Sequence, residues 1–289
     1  MDTKEILKKV RSIEIKTKGL SNHIFAGEYN TAFKGRGMTF SEVREYEIGD
    51  DLRTIDWNVT ARYNSPFVKV FEEEREITLM LMVDVSSSSS FGTNKRFKRE
   101  LVSEISAVLA FSAIKNNDKV GVIFFSDKIE KFISPSKGKK HILRIIKEIL
   151  TFESNSKKTN IKKALEYFNR VTKKRSICFL LSDFFDSDFF EPIKLSAKRH
   201  DLVAVNTLDS RELEIPNVGL LSLQDSEEDN EILVDSSDRK FRRNFKNKQL
   251  SRLETLKKEL SLCGADYIQL LTQEDIISPL INFFKNRKK

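Results

Sequence analysis

The sequence predicts an α/β protein: an open, mostly parallel sheet with helices on both faces, preceded by a small β-rich segment. Three observations carry that prediction. From residue 76 onward, short β-branched and aromatic runs alternate with longer stretches of helical period, the pattern of strands joined by crossover helices. Two of those runs, 77–85 and 176–182, lack polar alternation, which suits strands covered on both faces. Half of the chain's 10 glycines (Gly19, Gly27, Gly35, Gly37 and Gly49) fall in the first fifty residues, and this marks 1–75 as turn-rich structure with short strands.

The elements follow in order. Residues 77–85 read as a buried central strand. Phe97, Leu101, Ile105, Val108, Leu109 and Ser112 recur mostly at spacings of three and four, so they share one face of a helix. Residues 119–125 form a second strand, entered through the turn-prone Asn116-Asn117-Asp118, with 128–134 as a candidate edge strand. Helices are predicted over 141–150 and 160–169, the second capped by Thr159 or Asn160. After the strand 176–182 come a helix over 191–199, a strand over 202–208 and a charged stretch, 224–231, between two strand-like runs that reads as an inserted hairpin. A long helix places Leu250, Leu253, Leu256 and Leu260 on one face and stops at Gly264, well suited to a left-handed cap. Residues 266–271 supply the last strand and 275–284 the last helix. No internal repeat interrupts this order, and the chain divides into 1–75, expected to pack on the main domain, and 76–289.

Composition excludes several classes. At 289 residues, 39% hydrophobic and 33% charged with 22 Phe, the chain is not disordered and can bury a core without disulfides. Lys plus Arg number 51 against 43 Asp plus Glu, a net +8, and such an excess invites a nucleic-acid reading. The basic residues are mostly interleaved with acids, as Lys257 and Lys258 are with Glu259, so they read as solvated faces. Only the runs 239–248 and 285–289 could bind an anion, and nucleic acid is not the expected partner. Cys178 and Cys263 lie far apart in apolar stretches and read as buried thiols. The first 18 residues lack the apolar core of a secretion signal. No segment approaches the roughly 20 apolar residues that cross a bilayer, so a cytoplasmic protein is expected.

The chemistry concentrates at the ends of strands. Asp84, Ser86 and Ser88 begin where the first buried strand ends, the edge at which open α/β sheets bind ligands. Thr159 stands just before a helix, and Asp183 just after the strand 176–182. Two carboxylates and three hydroxyls are hard oxygen donors, suited to Mg²⁺ or a similar ion that keeps several waters. An ion held largely by hydroxyls and waters keeps much of its charge and can attract a partner's carboxylate.

This pattern, Asp84-x-Ser86-x-Ser88, then Thr159, then Asp183, resembles the metal-ion-dependent adhesion site of von Willebrand factor type A domains. The resemblance implies a Rossmann-type, von Willebrand A-like domain binding Mg²⁺, or Mn²⁺ or Ca²⁺, on those five residues. The N-terminal part is more specific. Gly35-Arg36-Gly37, Arg44-Glu45-Tyr46, Gly49-Asp50-Asp51-Leu52-Arg53-Thr54-Ile55-Asp56-Trp57 and Ala61-Arg62 resemble the signature of a bacterial family catalogued as domain of unknown function fifty-eight, whose members join that segment to a von Willebrand A-like domain. That resemblance implies an interaction protein acting with a MoxR-type AAA+ ATPase, or on a protein remodelled by one, in assembling or activating other proteins. One departure stands out: the third metal element commonly reads Asp-Gly, whereas Asp183 is followed by Phe184-Phe185-Asp186.

Other readings of these residues are less well supported. The signature residues Arg44, Tyr46, Gly49, Asp50, Arg53, Asp56, Trp57 and Arg62 read as structural: in the cluster of Asp50, Asp51, Arg53, Asp56 and Arg62 a catalytic reading would pair carboxylates for acid-base work, and the favoured one is an ion-paired element in which Arg forks hold carboxylates bidentately over a packed Trp57. His23, His141 and His200 are scattered, leaving little for a zinc site or a triad; His200 is expected in a turn between helix and strand. A Mg²⁺-dependent phosphohydrolase with Asp84 as nucleophile is the alternative function. That chemistry usually wants a second carboxylate two residues on, where Ser86 stands. A non-enzymatic module is therefore expected, its oligomeric state open.

Overall fold

The structure, a computed structural model, describes residues 11–12, 38–63, 65–73, 77–93, 96–154, 156–224 and 231–287. Gly19, Gly27, Gly35 and Gly37 lie outside the described residues. An antiparallel pair, β1 (Met38–Glu45) and β2 (Phe67–Glu73), comes first, with a 3-10 turn (Leu52–Thr54) and helix α1 (Trp57–Tyr63) between its strands. The chain then runs through β3 (Thr78–Asp84), α2 (Lys98–Lys115), β4 (Lys119–Phe125), β5 (Ile129–Ser136), α3 (Lys139–Thr151), α4 (Ile161–Val171) and β6 (Ile177–Ser182). It continues with α5 (Phe190–Arg199), β7 (Asp201–Leu208), α6 (Ser210–Leu213), the antiparallel pair β8 (Leu220–Gln224) and β9 (Glu231–Asp235), α7 (Arg239–Leu262), β10 (Asp266–Leu271) and α8 (Ile277–Asn286).

The main sheet has the order β10-β7-β6-β3-β4-β5, parallel throughout except for the edge strand β5. The apolar runs explain it. Successive side chains of β3 alternate between faces, so Leu79, Leu81 and Val83 join one core with residues of α2, α3 and α8. Met80 and Met82 join the other, built with α4, α5 and α7. A strand buried on both faces has no use for a polar alternation. Gly121 on β4 is required by close approach, since a Cβ there would lie 2.8 Å from the Met80 sulfur.

Chain direction fixes where a ligand can sit. From β3 the chain crosses to β4 on one side, turns back along β5, and returns to β6 on the other side of β3. The crevice beyond the carboxyl end of β3 is thus the point at which the crossovers diverge, and Asp84 is the last residue of that strand.

Two residues assigned to apolar faces are exposed. Phe97 is 52% exposed because it is the cap preceding α2, where an extended backbone turns its ring outward. Leu250 is 44% exposed because α7 begins at Arg239 and only its later turns, from Leu253, reach the core. Gly264, at φ 80°, ends α7 as its composition implies, and the Ala265 N–H closes the helix onto the Leu260 carbonyl at 3.0 Å. Cys178 is buried and Cys263 half-buried. Among the described residues no helix is long and apolar enough to cross a membrane.

His200 does lie between a helix and a strand, as the residue that ends α5. It is buried, with Nδ1 3.1 Å from the Ser176 hydroxyl and its ring 4.5 Å from that of Phe168. Burial, with Arg199 and Arg175 nearby, pushes its pKa down to about 4. The unfolded chain therefore takes up the proton first. The resulting stability is complete above about pH 6.5 and is lost as pH falls toward 4. Denaturant melts at pH 7 and pH 4.5 should show this group losing about 2 to 3 kcal/mol, and His200→Gln should flatten the profile over that interval. An unchanged profile in the variant would assign the acid sensitivity to other groups.

Candidate metal centre

The carboxyl edge of the sheet gathers the five predicted residues into one hydrogen-bonded group. Asp84 is 6% exposed. Its Oδ1 accepts the Ser86 N–H at 3.0 Å and its Oδ2 accepts the Ser182 hydroxyl at 2.7 Å. The Thr159 hydroxyl lies 3.5 Å from both oxygens. Ser87–Ser90 wind into a 3-10 turn, and the hydroxyls of Ser86 and Ser88 meet at 3.1 Å. Ser88 in turn hydrogen-bonds Asp183. The loops are tied together by backbone: the Lys157 carbonyl accepts the Ser87 N–H at 3.3 Å, and the Ser126 carbonyl accepts the Asn160 N–H at 2.9 Å. Of the two candidate caps it is Asn160 that closes α4, accepting the Lys163 N–H at 2.8 Å, which leaves the Thr159 hydroxyl directed at Asp84.

Asp183 follows β6 directly, also buried. Its Oδ1 accepts the Phe185 N–H at 3.3 Å, while its Oδ2 accepts from the Lys98 ammonium at 2.9 Å. Lys98 also donates to Glu212 Oε1 at 2.5 Å. Phe184 stands where the family pattern commonly has glycine, and its φ of 55° is left-handed backbone that a glycine adopts without strain. The bulk is used: Phe184 is buried and packs on Phe189 at 5.8 Å. The extra acid is used as well, since Asp186 Oδ2 accepts the Ile161 N–H at the start of α4, at 2.7 Å.

The two carboxylates differ electrically. Burial, together with the neighbouring charge of Asp183, raises the Asp84 pKa to about 6. Burial works the same way on Asp183, but the charge and hydrogen bond of Lys98 outweigh it and hold that carboxyl below its ordinary range. Lys98 stays charged, because Asp183 and Glu212 outweigh its own burial. Arg252, from α7, adds a second cation: it lies 3.5 Å over the Phe185 ring and donates to the Phe184 carbonyl at 3.3 Å. Among the described residues no three His, Cys, Asp or Glu side chains gather as metal ligands. The set at the edge is instead carboxylate and hydroxyl oxygen, a chemistry that fits Mg²⁺, with Asp183 already engaged by an ammonium.

The N-terminal signature is a web of structural bonds. Arg44 holds Asp50 bidentately, at 2.8 and 2.7 Å, and Asp50 also accepts the Glu47 N–H at 2.9 Å. Asp51 caps the 3-10 turn through the Arg53 N–H at 3.0 Å. Asp56 caps α1 through the Asn58 N–H at 3.0 Å and pairs with Lys69 at 3.4 Å. The Tyr46 N–H reaches the Pro66 carbonyl at 2.9 Å, and Gly49 has φ 116°. Two expectations fail here. Among the described residues neither Arg53 nor Arg62 forms an ion pair, the carboxylates near them being taken up by backbone caps, Arg44 and Lys69. Trp57 is not packed beneath the cluster but 70% exposed, because α1 begins at that residue and turns its ring outward.

Sequence reasoning missed Lys98, Glu212, Ser182 and Asp186. Lys98 carried a signal: Leu101, Val102 and Ile105 lie three, four and seven residues on, so it sits on the apolar face by period. Glu212 had a weaker one, as the third residue after the helix cap Asp209.

The fold defines the class, an α/β domain built on an open, mostly parallel six-stranded sheet. The model of a family described as Protein of unknown function DUF58 matches residues 42–254, which take in most of the N-terminal strand pair and five of the six strands of the main sheet. The chain belongs to that family. Uncharacterized protein Rv1480 of Mycobacterium tuberculosis is 26% identical, over 100% of this chain and 92% of its own length. Among solved structures, BatB from Bacteroides thetaiotaomicron superposes with a TM-score of 0.50 at 16% identity, covering 73% of this chain and 98% of that one. An aerotolerance-related membrane protein from Bacteroides fragilis gives 0.51, also at 16% identity and with the same coverage of 73% and 98%. At these identities the likeness is one of fold.

The Phe184 loop yields a stability prediction. Phe184→Gly relieves about 1 to 2 kcal/mol of left-handed strain but removes a buried ring worth about 3 to 5 kcal/mol, so denaturant melts should show a net loss near 2 kcal/mol. A stabilised variant would show that strain outweighs packing.

Proposed function

We propose that this protein is a non-enzymatic interaction module that captures a divalent cation, Mg²⁺ before Mn²⁺ or Ca²⁺, at the carboxyl edge of its sheet and through it an Asp or Glu of a partner protein. The observation that carries this reading is the linked set of Asp84, Ser86, Ser88, Thr159 and Asp183 at the point where the crossovers diverge. Ser86, Ser88 and Thr159 would supply neutral oxygens, and Asp84 and Asp183 the charge. An ion bound mainly by hydroxyls and waters keeps its attraction for an outside carboxylate. The partner is proposed to be a MoxR-type AAA+ ATPase or a protein remodelled by one, on the family resemblance alone.

The phosphohydrolase alternative is disfavoured by the surroundings of Asp84. The position two residues on offers a hydroxyl where that chemistry uses a carboxylate.

An ion at about 100 times its dissociation constant stabilises the folded chain by about 2.7 kcal/mol, which raises the melting temperature of a domain this size by roughly 5 to 10 °C. Scanning calorimetry with Mg²⁺ or Mn²⁺ should show that rise, and Asp84→Ala should abolish it. A melting temperature indifferent to both ions would overturn ion capture. Metal-dependent phosphatase turnover lost in Asp84→Asn would overturn the non-enzymatic reading.

A further inference from the structure

Lys98 is a charged side chain with 1% exposure, placed where a cation is doubly disfavoured. Burial strips its hydration, and buried lysines are rare unless paired. It is also the first residue of α2, and the positive end of a helix dipole repels a cation. Two carboxylates offset both effects: Asp183 Oδ2 at 2.9 Å and Glu212 Oε1 at 2.5 Å. They are not equivalent. Asp183 hydrogen-bonds Ser88 and belongs to the oxygen set at the sheet edge, whereas Glu212 lies outside that set, its other oxygen accepting the Asp209 N–H at 2.7 Å. The ammonium therefore has one anchor shared with the proposed ion site and one of its own.

A divalent ion approaching Asp183 meets an ammonium already on that carboxylate, in a region that screens like charges poorly. Lysine suits a contested position, because its compact charge rides on a flexible four-carbon stem. We propose that Lys98 is a tethered counter-cation of this site: it competes with the divalent ion for Asp183 and withdraws onto Glu212 when the ion binds. The inference rests on the ion-capture reading above and adds to it how affinity is set: the native site binds its ion weakly, because each ion displaces a cation the chain supplies itself.

The test is a Mn²⁺ titration of the full chain in which unbound Mn²⁺ is read by electron paramagnetic resonance, with circular dichroism confirming the fold of each variant. Lys98→Met should bind at least about tenfold more tightly than the native chain. Because it leaves two buried carboxylates without their cation, it is paired with Lys98→Met/Glu212→Gln, which removes one charge of each sign and should show the same gain. Glu212→Gln alone, lacking the withdrawal anchor, should bind more weakly than the native chain. Binding by a Lys98 variant with none by the native chain would support the competition and overturn ion capture by the native protein. Native binding with no gain in a folded Lys98 variant would overturn the tethered cation and leave ion capture standing. Absence of Mn²⁺ binding in every chain would overturn both.

Discussion

The edge of this sheet is governed by the cost of burying two carboxylates side by side. Asp84 ends β3 and Asp183 follows the adjacent strand β6, and both are nearly inaccessible to water. Like charges in a poorly screened interior repel by kilocalories rather than tenths, and an isolated buried carboxylate would sooner take a proton than stay ionised. The structure treats the two differently. Asp84 receives hydrogen bonds from a backbone N–H and a hydroxyl, and its pKa still rises to about 6. Asp183 receives an ammonium and stays ionised.

That choice binds distant parts of the chain together. Lys98 opens α2, yet its partners lie after β6 and on α6. Glu212 is fixed by the Asp209 N–H, and Asp209 accepts the hydroxyls of Thr93 and Thr272, each at 2.6 Å. One hydrogen-bonded path therefore runs from the end of β6 through the start of α2 to the ends of β7 and β10. Polar networks of this kind are worth having only when satisfied, because a buried donor or acceptor left alone costs about 1 to 3 kcal/mol. The same edge that gathers the oxygen cluster is thus also where three strand ends are linked to one another.

The strands and helices were legible because their periods are strong. Apolar runs with no polar break gave β3 and β6, a three-and-four spacing gave α2, and Gly264 gave the end of α7. Asp84, Ser86, Ser88, Thr159 and Asp183 were legible as a set because each falls at the end of an element, and strand ends on one edge of a parallel sheet converge. The misses have a common cause. Lys98 and Phe97 both fit the helical period, and an assignment by residue type gives the buried place to the phenylalanine. The pairing that reverses this, with Asp183 and Glu212, lies 85 and 114 residues away. Trp57 was misplaced for the same reason: large aromatics are mostly buried, and only the start of α1 at that residue turns this one outward.

An internal cation also changes what an external one can do. Where a metal supplies the only positive charge among buried carboxylates, its binding energy becomes folding energy, and the metal-free chain does not fold. Here the Lys98 ammonium, shared with Glu212, holds Asp183 ionised within the fold, while burial raises the Asp84 pKa to about 6. The fold itself therefore supplies part of the positive charge that these buried carboxylates call for. If Lys98 competes for Asp183 as proposed, ion binding would act as a reversible exchange of one cation for another at this edge. Such an exchange would set the ion's two charges against Asp84 and Asp183 and leave Lys98 on Glu212, so any pull on an outside carboxylate would come from the ion's open coordination positions and not from a net surplus at the edge.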